Sequence, residues 1–225
     1  MFQALDEPAD DPSLLAETEF IDHGHPAVSE FVERALDGTG PGTPTETAVL
    51  LFNAVRDGIR YDPYRCSRDP DAYRASAVAL APTNWCVPKS VLLCAAARAS
   101  GIPARLGFAD VRNHLTSERL QAAMGTDVFM WHGYAELHLD GRWFKLSSAF
   151  NLEMCERFGV GVLSFDGTDD ALMHPYDSTG RRHMEYLRSH GSFEDLPLDR
   201  ILADFDEFYP GFLEGPRPAD PQFAG

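Results

Sequence analysis

The sequence predicts an α+β fold in which a long helix packs on an antiparallel sheet, and three observations lead there. Residues 86–99 form an apolar, alanine-rich run with Pro88 in its first turn and Gly101-Ile102-Pro103 as its stop. Residues 131–147 alternate apolar and polar on either side of Asp140-Gly141, a two-residue hairpin turn. Thr43-Pro44-Thr45-Glu46 is a capping box with proline at the first helical position.

Taken in order, residues 1–18 are acidic and proline-containing and are expected to be loosely ordered. Ala27 to Asp37 reads as a helix with Val28, Phe31, Val32, Ala35 and Leu36 on one face and Gly38 as its end. The capping box starts a second helix whose stripe is Ala48, Leu51, Phe52, Val55 and Ile59. Residues 62–84 read as a loop approaching the cleft, and residues 104–108 as a short strand. The connection from Asp110 to Asp127 is too long for a turn, and its Arg112, Asn113 and His114 are a candidate substrate wall. Glu153–Phe158 reads as a helical turn, Val162–Asp166 as a strand, and Arg181–Arg188 and Leu198–Phe208 as helices. Residues 19–213 are read as one domain, with a core at about 45–150, a helical extension at about 151–213 and a flexible tail at 214–225.

Cys86 stands where a polar loop becomes a helix. The free amides and dipole of a first helical turn favour thiolate over thiol, so its pKa is expected to be lowered. His132 lies on the alternating strand, far away in sequence, and a cysteine on a helix start with a histidine on a strand is the skeleton of a thiol nucleophile and its base. A lone cysteine in an alanine-rich helix is ordinarily an inert small hydrophobe, which is the reading for Cys94; Cys66 and Cys155 carry no partner signal.

A cysteine opening a helix, Lys89 three residues on, the closing Gly101-Ile102-Pro103-Ala104-Arg105, and a histidine strand ending in Asp140-Gly141-Arg142-Trp143 resemble the transglutaminase-like superfamily. The resemblance implies a papain-like fold and a Cys, His, Asp triad used for acyl transfer or amide hydrolysis. By position Cys86 is then the nucleophile and His132 the base. The family's aspartate falls at Ser147, where the chain departs from the pattern. Register agrees with the count: the hairpin turn pairs Leu139 with Arg142 and, continued back, Tyr134 with Ser147 and His132 with Ala149. Ser147 thus shares the face of His132, together with Tyr134, Glu136, His138, Trp143 and Lys145.

Ser147 is the first choice as orienter of the imidazole and Asn151 the second, because an amide serves that role in papain-like proteases. Asp110 and Glu136 are charged alternatives, although Glu136 faces Lys145 and reads as a cross-strand ion pair. Asn84, Trp85 and Tyr134 are candidate oxyanion or pocket residues. The Trp85 indole is either a donor or a wall of the core. Lys89, one turn after the cysteine, reads as a solvated charge.

The net charge of −16, from 35 acidic and 19 basic residues, argues against nucleic acid or an anionic membrane as partner. No C-x-x-C occurs and His23 with His25 lacks further ligand spacing, so neither a metal nor another cofactor is expected. The N-terminus shows no basic, apolar signal segment, which gives an expectation of a cytoplasmic protein with reduced thiols. The expected function is acyl transfer through a Cys86 thioester, from a peptide, protein or small-molecule amide or related acyl compound, to an amine or water. A cysteine peptidase or amidase is the alternative within enzymes. A non-catalytic binding protein with a degenerate triad is the alternative outside them.

Overall fold

The computed structural model describes residues 11–39, 42–114, 116–173, 176–177 and 179–214. The chain runs through α1 (Pro26–Ala35), α2 (Pro44–Gly58), β1 (Arg60–Tyr61), α3 (Ala75–Ala79), β2 (Thr83–Asn84) and α4 (Cys86–Ala99). There follow β3 (Ala104–Asn113), α5 (Glu118–Met124), β4 (Val128–Leu139), β5 (Arg142–Leu146), α6 (Leu152–Phe158), β6 (Met184–Phe193) and α7 (Leu198–Phe208). Four strands make an antiparallel sheet in the order β5-β4-β3-β6, while β1 and β2 pair in parallel. The class is α+β, with α4 lying against β4 and β3.

α4 is buried from Cys86 to Arg98, as an all-round apolar helix must be. Lys89 therefore is not the solvated charge its position suggested. Its ammonium is fully buried and donates to the carbonyls of Arg56, at 2.9 Å, and Ile59, satisfying the C-terminal end of α2. Burial outweighs the attraction of the nearby Asp57 carboxylate and lowers its pKa to about 7. Arg98, also buried, donates to the carbonyls of Ala104, Ala16 and Glu194. That anchor orders the chain earlier than expected: residues 12–15 form a helical turn with Leu14 buried. Residues 1–10 and 215–225 lie outside the described residues.

The capping box at Thr43 and Glu46 closes in both directions. Asp140 and Gly141 have φ of +50° and +85°, as a tight hairpin turn requires, and set the ladder from Leu139↔Arg142 to Ala135↔Leu146. β5 then stops. The Ser147 amide turns away to the carbonyl of Ala171, at 2.8 Å, so the projected pairs Tyr134–Ser147 and His132–Ala149 are not part of the ladder.

Four elements differ from expectation, the first being residues 62–84, which hold α3 and β2 where a loop was expected. β3 continues to Asn113 because both of its edges are paired, by β4 and β6. Residues 184–193 are the edge strand β6, so the helix expected at Arg181–Arg188 does not form: pairing with β3 overrides a local apolar spacing that also suits a helix. Residues 162–166 form no strand, although Leu163 and Phe165 are buried, Phe165 edge-on to Phe52 of α2. Among the described residues no helix is long and apolar enough to cross a membrane.

Candidate active site

Cys86 reaches its place because β1 and β2 deliver the chain to the start of α4, where the Asn84 side-chain oxygen accepts the Trp85 amide at 3.1 Å. His132 sits on β4, beyond the last pair made by β5. Both line one cavity of about 30 Å³, room for only one or two waters. Tyr61, Phe129 and Met130 wall it, together with Cys66 and Met124, and Phe205, Tyr209 and Phe212 at and after α7 cover it. The Tyr209 hydroxyl fastens that cover, donating to the Val128 carbonyl at 2.8 Å and accepting the Met130 amide at 2.5 Å.

Enclosure decides the electrostatics. Burial pushes the Cys86 thiol up to about 11, although main-chain hydrogen bonds from Gly133, Val87 and Cys86 itself and the charge of Lys89 pull the other way. Burial likewise lowers His132 to about 4. The expectation of a thiol depressed by its helix start is therefore corrected: the helix contributes in the expected direction, but desolvation is larger. At neutral pH the resting pair is thiol and neutral imidazole.

Ser147 Oγ lies 3.3 Å from His132 Nε2. The other proposed orienters are engaged elsewhere. Asn151 accepts the Tyr61 amide through Oδ1 at 3.1 Å. Glu136 pairs with Arg105 Nε at 2.7 Å and accepts Ser192 Oγ at 2.8 Å; it is opposite Lys145 in register, yet its close ion pair is with β3. Asp110 is bound to His190 and to the Trp131 amide.

Of the pocket candidates, Trp85 lines the cavity, and its buried indole N–H has no partner among the described residues. Such a donor costs about 1–3 kcal/mol unless something accepts from it. Asn84 shapes the helix start from outside the cavity lining. Tyr134 covers Gly107, where an added Cβ would come within 2.1 Å of its ring, and it too is outside the lining. Arg112 and His114 contact Glu185, at 3.7 and 3.3 Å, and do not wall the cavity. Asn113 lines a second void of about 20 Å³, which shares Tyr61 and Phe129 with the first. Sequence reasoning missed the cover from Phe205 to Phe212 and the nearby Cys66, since nothing local marks a helix that docks across the fold. Among the described residues no His, Cys, Asp or Glu cluster suits a metal, and all four cysteines are free.

The model of the transglutaminase-like superfamily matches residues 33–148, just over half of the chain. No curated protein matches. Among solved structures, a candidate cysteine protease of Cytophaga hutchinsonii aligns with a TM-score of 0.45 and 12% identity, covering 81% of this chain and 65% of that one. A candidate protease of Parabacteroides distasonis aligns with a TM-score of 0.36 and 15% identity, covering 72% of this chain and 30% of that one.

Proposed function

Because the chain belongs to the transglutaminase-like superfamily, we propose that it is a cysteine enzyme that transfers an acyl group through a thioester on Cys86. One observation carries the reading: Cys86, His132 and Trp85, whose buried indole N–H has no partner among the described residues, line one small, aromatic-walled cavity.

In the first step His132 takes the thiol proton as sulfur attacks the acyl carbon. Charge then develops on the carbonyl oxygen, and the Cys86 amide and Trp85 Nε1–H are the donors suited to receive it. Collapse breaks the bond to the leaving amine, which receives the proton from His132. In the second step an incoming amine or water gives its proton to His132 and attacks the thioester, and the thiol is released protonated. Moving a proton from thiol to buried imidazole is uphill, and the mutual attraction of the ions formed offsets part of that cost. Ser147 steadies the ring without supplying charge. A covered cavity excludes bulk water, which favours an amine over water as acceptor. Hydrolysis as a peptidase or amidase would use the same intermediate.

The test is to treat the protein with p-nitrophenyl acetate, quench in acid and locate the acetyl group by mass spectrometry. A hydroxylamine-labile adduct on Cys86, absent in His132→Ala, is expected. A protein that forms none, with an accessible Cys86, is better read as a binding module on the same fold.

A further inference from the structure

Trp131, directly before His132, has φ of +57°. Only Asp140, in the hairpin turn, shares a positive φ with it among the described non-glycine residues. For a bulky side chain this conformation costs on the order of 1–3 kcal/mol and persists only where its surroundings enforce it. It belongs to a β-bulge. Ala109 pairs with His132 and Val111 with Phe129, so Met130 and Trp131 together oppose the single residue Asp110. Ala109 and Val111 point to one face, and so therefore do Phe129 and His132, three residues apart. Ordinary alternation would turn them to opposite faces; with the bulge both line the cavity.

Four contacts hold the bulge. Asp110 Oδ1 accepts the Trp131 amide at 3.1 Å, and His190 Nε2 donates to the same oxygen at 2.6 Å. The His190 ring stacks on the indole, with centroids 3.9 Å apart and planes 15° from parallel. Indole Nε1 donates to Asp204 Oδ2 of α7 at 2.7 Å. Asp110 and His190 have side chains only 7% and 2% exposed, and neither lines the cavity. Burying such a pair requires desolvation that stability alone does not explain.

We infer that Asp110 and His190 are positioning residues for His132: by holding the Trp131 amide they fix the bulge that turns the imidazole toward Cys86. The inference rests on Cys86 and His132 being the reacting pair. The experiment measures the rate of iodoacetamide alkylation of Cys86 at pH 7, by peptide mass spectrometry, in folded variants. Asp110→Ala should slow labelling about tenfold to 10²-fold, the scale of a misplaced catalytic group. Combined with His132→Ala it should slow labelling no further than His132→Ala alone. Asp110→Asn, which keeps an acceptor for the Trp131 amide, should restore labelling to within about threefold of the wild type. Should Asp110→Ala not fold, His190→Ala against His190→Gln carries the same comparison, since glutamine retains a donor to Asp110. Wild-type labelling in Asp110→Ala or His190→Ala, or an effect that adds in full to that of His132→Ala, would overturn the positioning role alone. Wild-type labelling in His132→Ala would overturn the reacting pair and this inference with it.

Discussion

Ser147 presents its hydroxyl to His132 Nε2 at 3.3 Å from the first residue past β5, the position at which the family pattern has an aspartate. The contact explains how a ring can be steadied there without a carboxylate. Ser147→Ala should lower acyl transfer by far less than the ~10⁴-fold that follows loss of a triad aspartate, because no charge is removed. Ser147→Asp should favour imidazolium and speed Cys86 labelling between pH 6 and 7. Stopped-flow rates for the three proteins check this, and a crippling Ser147→Ala with intact fold would contradict it.

Trp85→Phe keeps the ring contacts with Tyr73 and Phe205 but removes the unpartnered N–H. Alkylation of Cys86, which develops no oxyanion, should be little changed. Acylation by p-nitrophenyl acetate should fall about 10²- to 10³-fold, as for other lost oxyanion donors. Parallel loss of both rates would instead point to a packing role.

At its C-terminal end the cover over the cavity is tied to β4 by the Tyr209 hydroxyl. Tyr209→Phe loses both hydrogen bonds to β4 at little cost in packing, so the segment should open more often and Cys86 should label several-fold faster. An unchanged labelling rate would mean that access comes from another side.

Acid stability follows from His132. Its pKa is lowered from 6.5 to about 4 by burial, so the unfolded chain binds the proton more readily than the folded one. The associated stability is complete above pH 6.5 and is lost as pH falls toward 4, by up to about 3 kcal/mol. Urea midpoints should thus fall more steeply with acid in the wild type than in His132→Gln.

Gly107→Ala tests the sheet beneath the site. Its Cβ would meet the Tyr134 ring at 2.1 Å, and displacing that ring should cost about 1–3 kcal/mol in urea unfolding.

The parts of the site legible in the sequence are those written in local chemistry. Pro88 and Gly101 bracket α4, and Asp140-Gly141 sets a ladder that runs to Ala135↔Leu146, one residue short of Ser147. What was not legible depends on distant partners. A helix start lowers the pKa of an exposed thiol, and only the packing of α7 reveals that Cys86 is enclosed. Residues 181–188 carry helix-compatible spacing, and 184–193 become a strand because β3 offers them an edge. The bulge at Trp131 is invisible to a two-residue alternation, since it is the alternation that it breaks.

The central claim is that His132 acts as base to Cys86, and the pH profile of Cys86 alkylation tests it most directly. The thiolate–imidazolium form has the same number of protons as the resting thiol–imidazole pair, so its population is independent of pH between the two pKa values. With the imidazole near 4 and the thiol near 11, wild-type labelling should be flat from about pH 5 up to the pH at which free thiolate outnumbers the ion pair, a limit set by how far the thiolate raises the imidazole pKa. His132→Ala should label more slowly, with a rate that rises about tenfold per pH unit, as for an unassisted thiol. A wild-type profile that climbs with the same slope as His132→Ala would contradict the account.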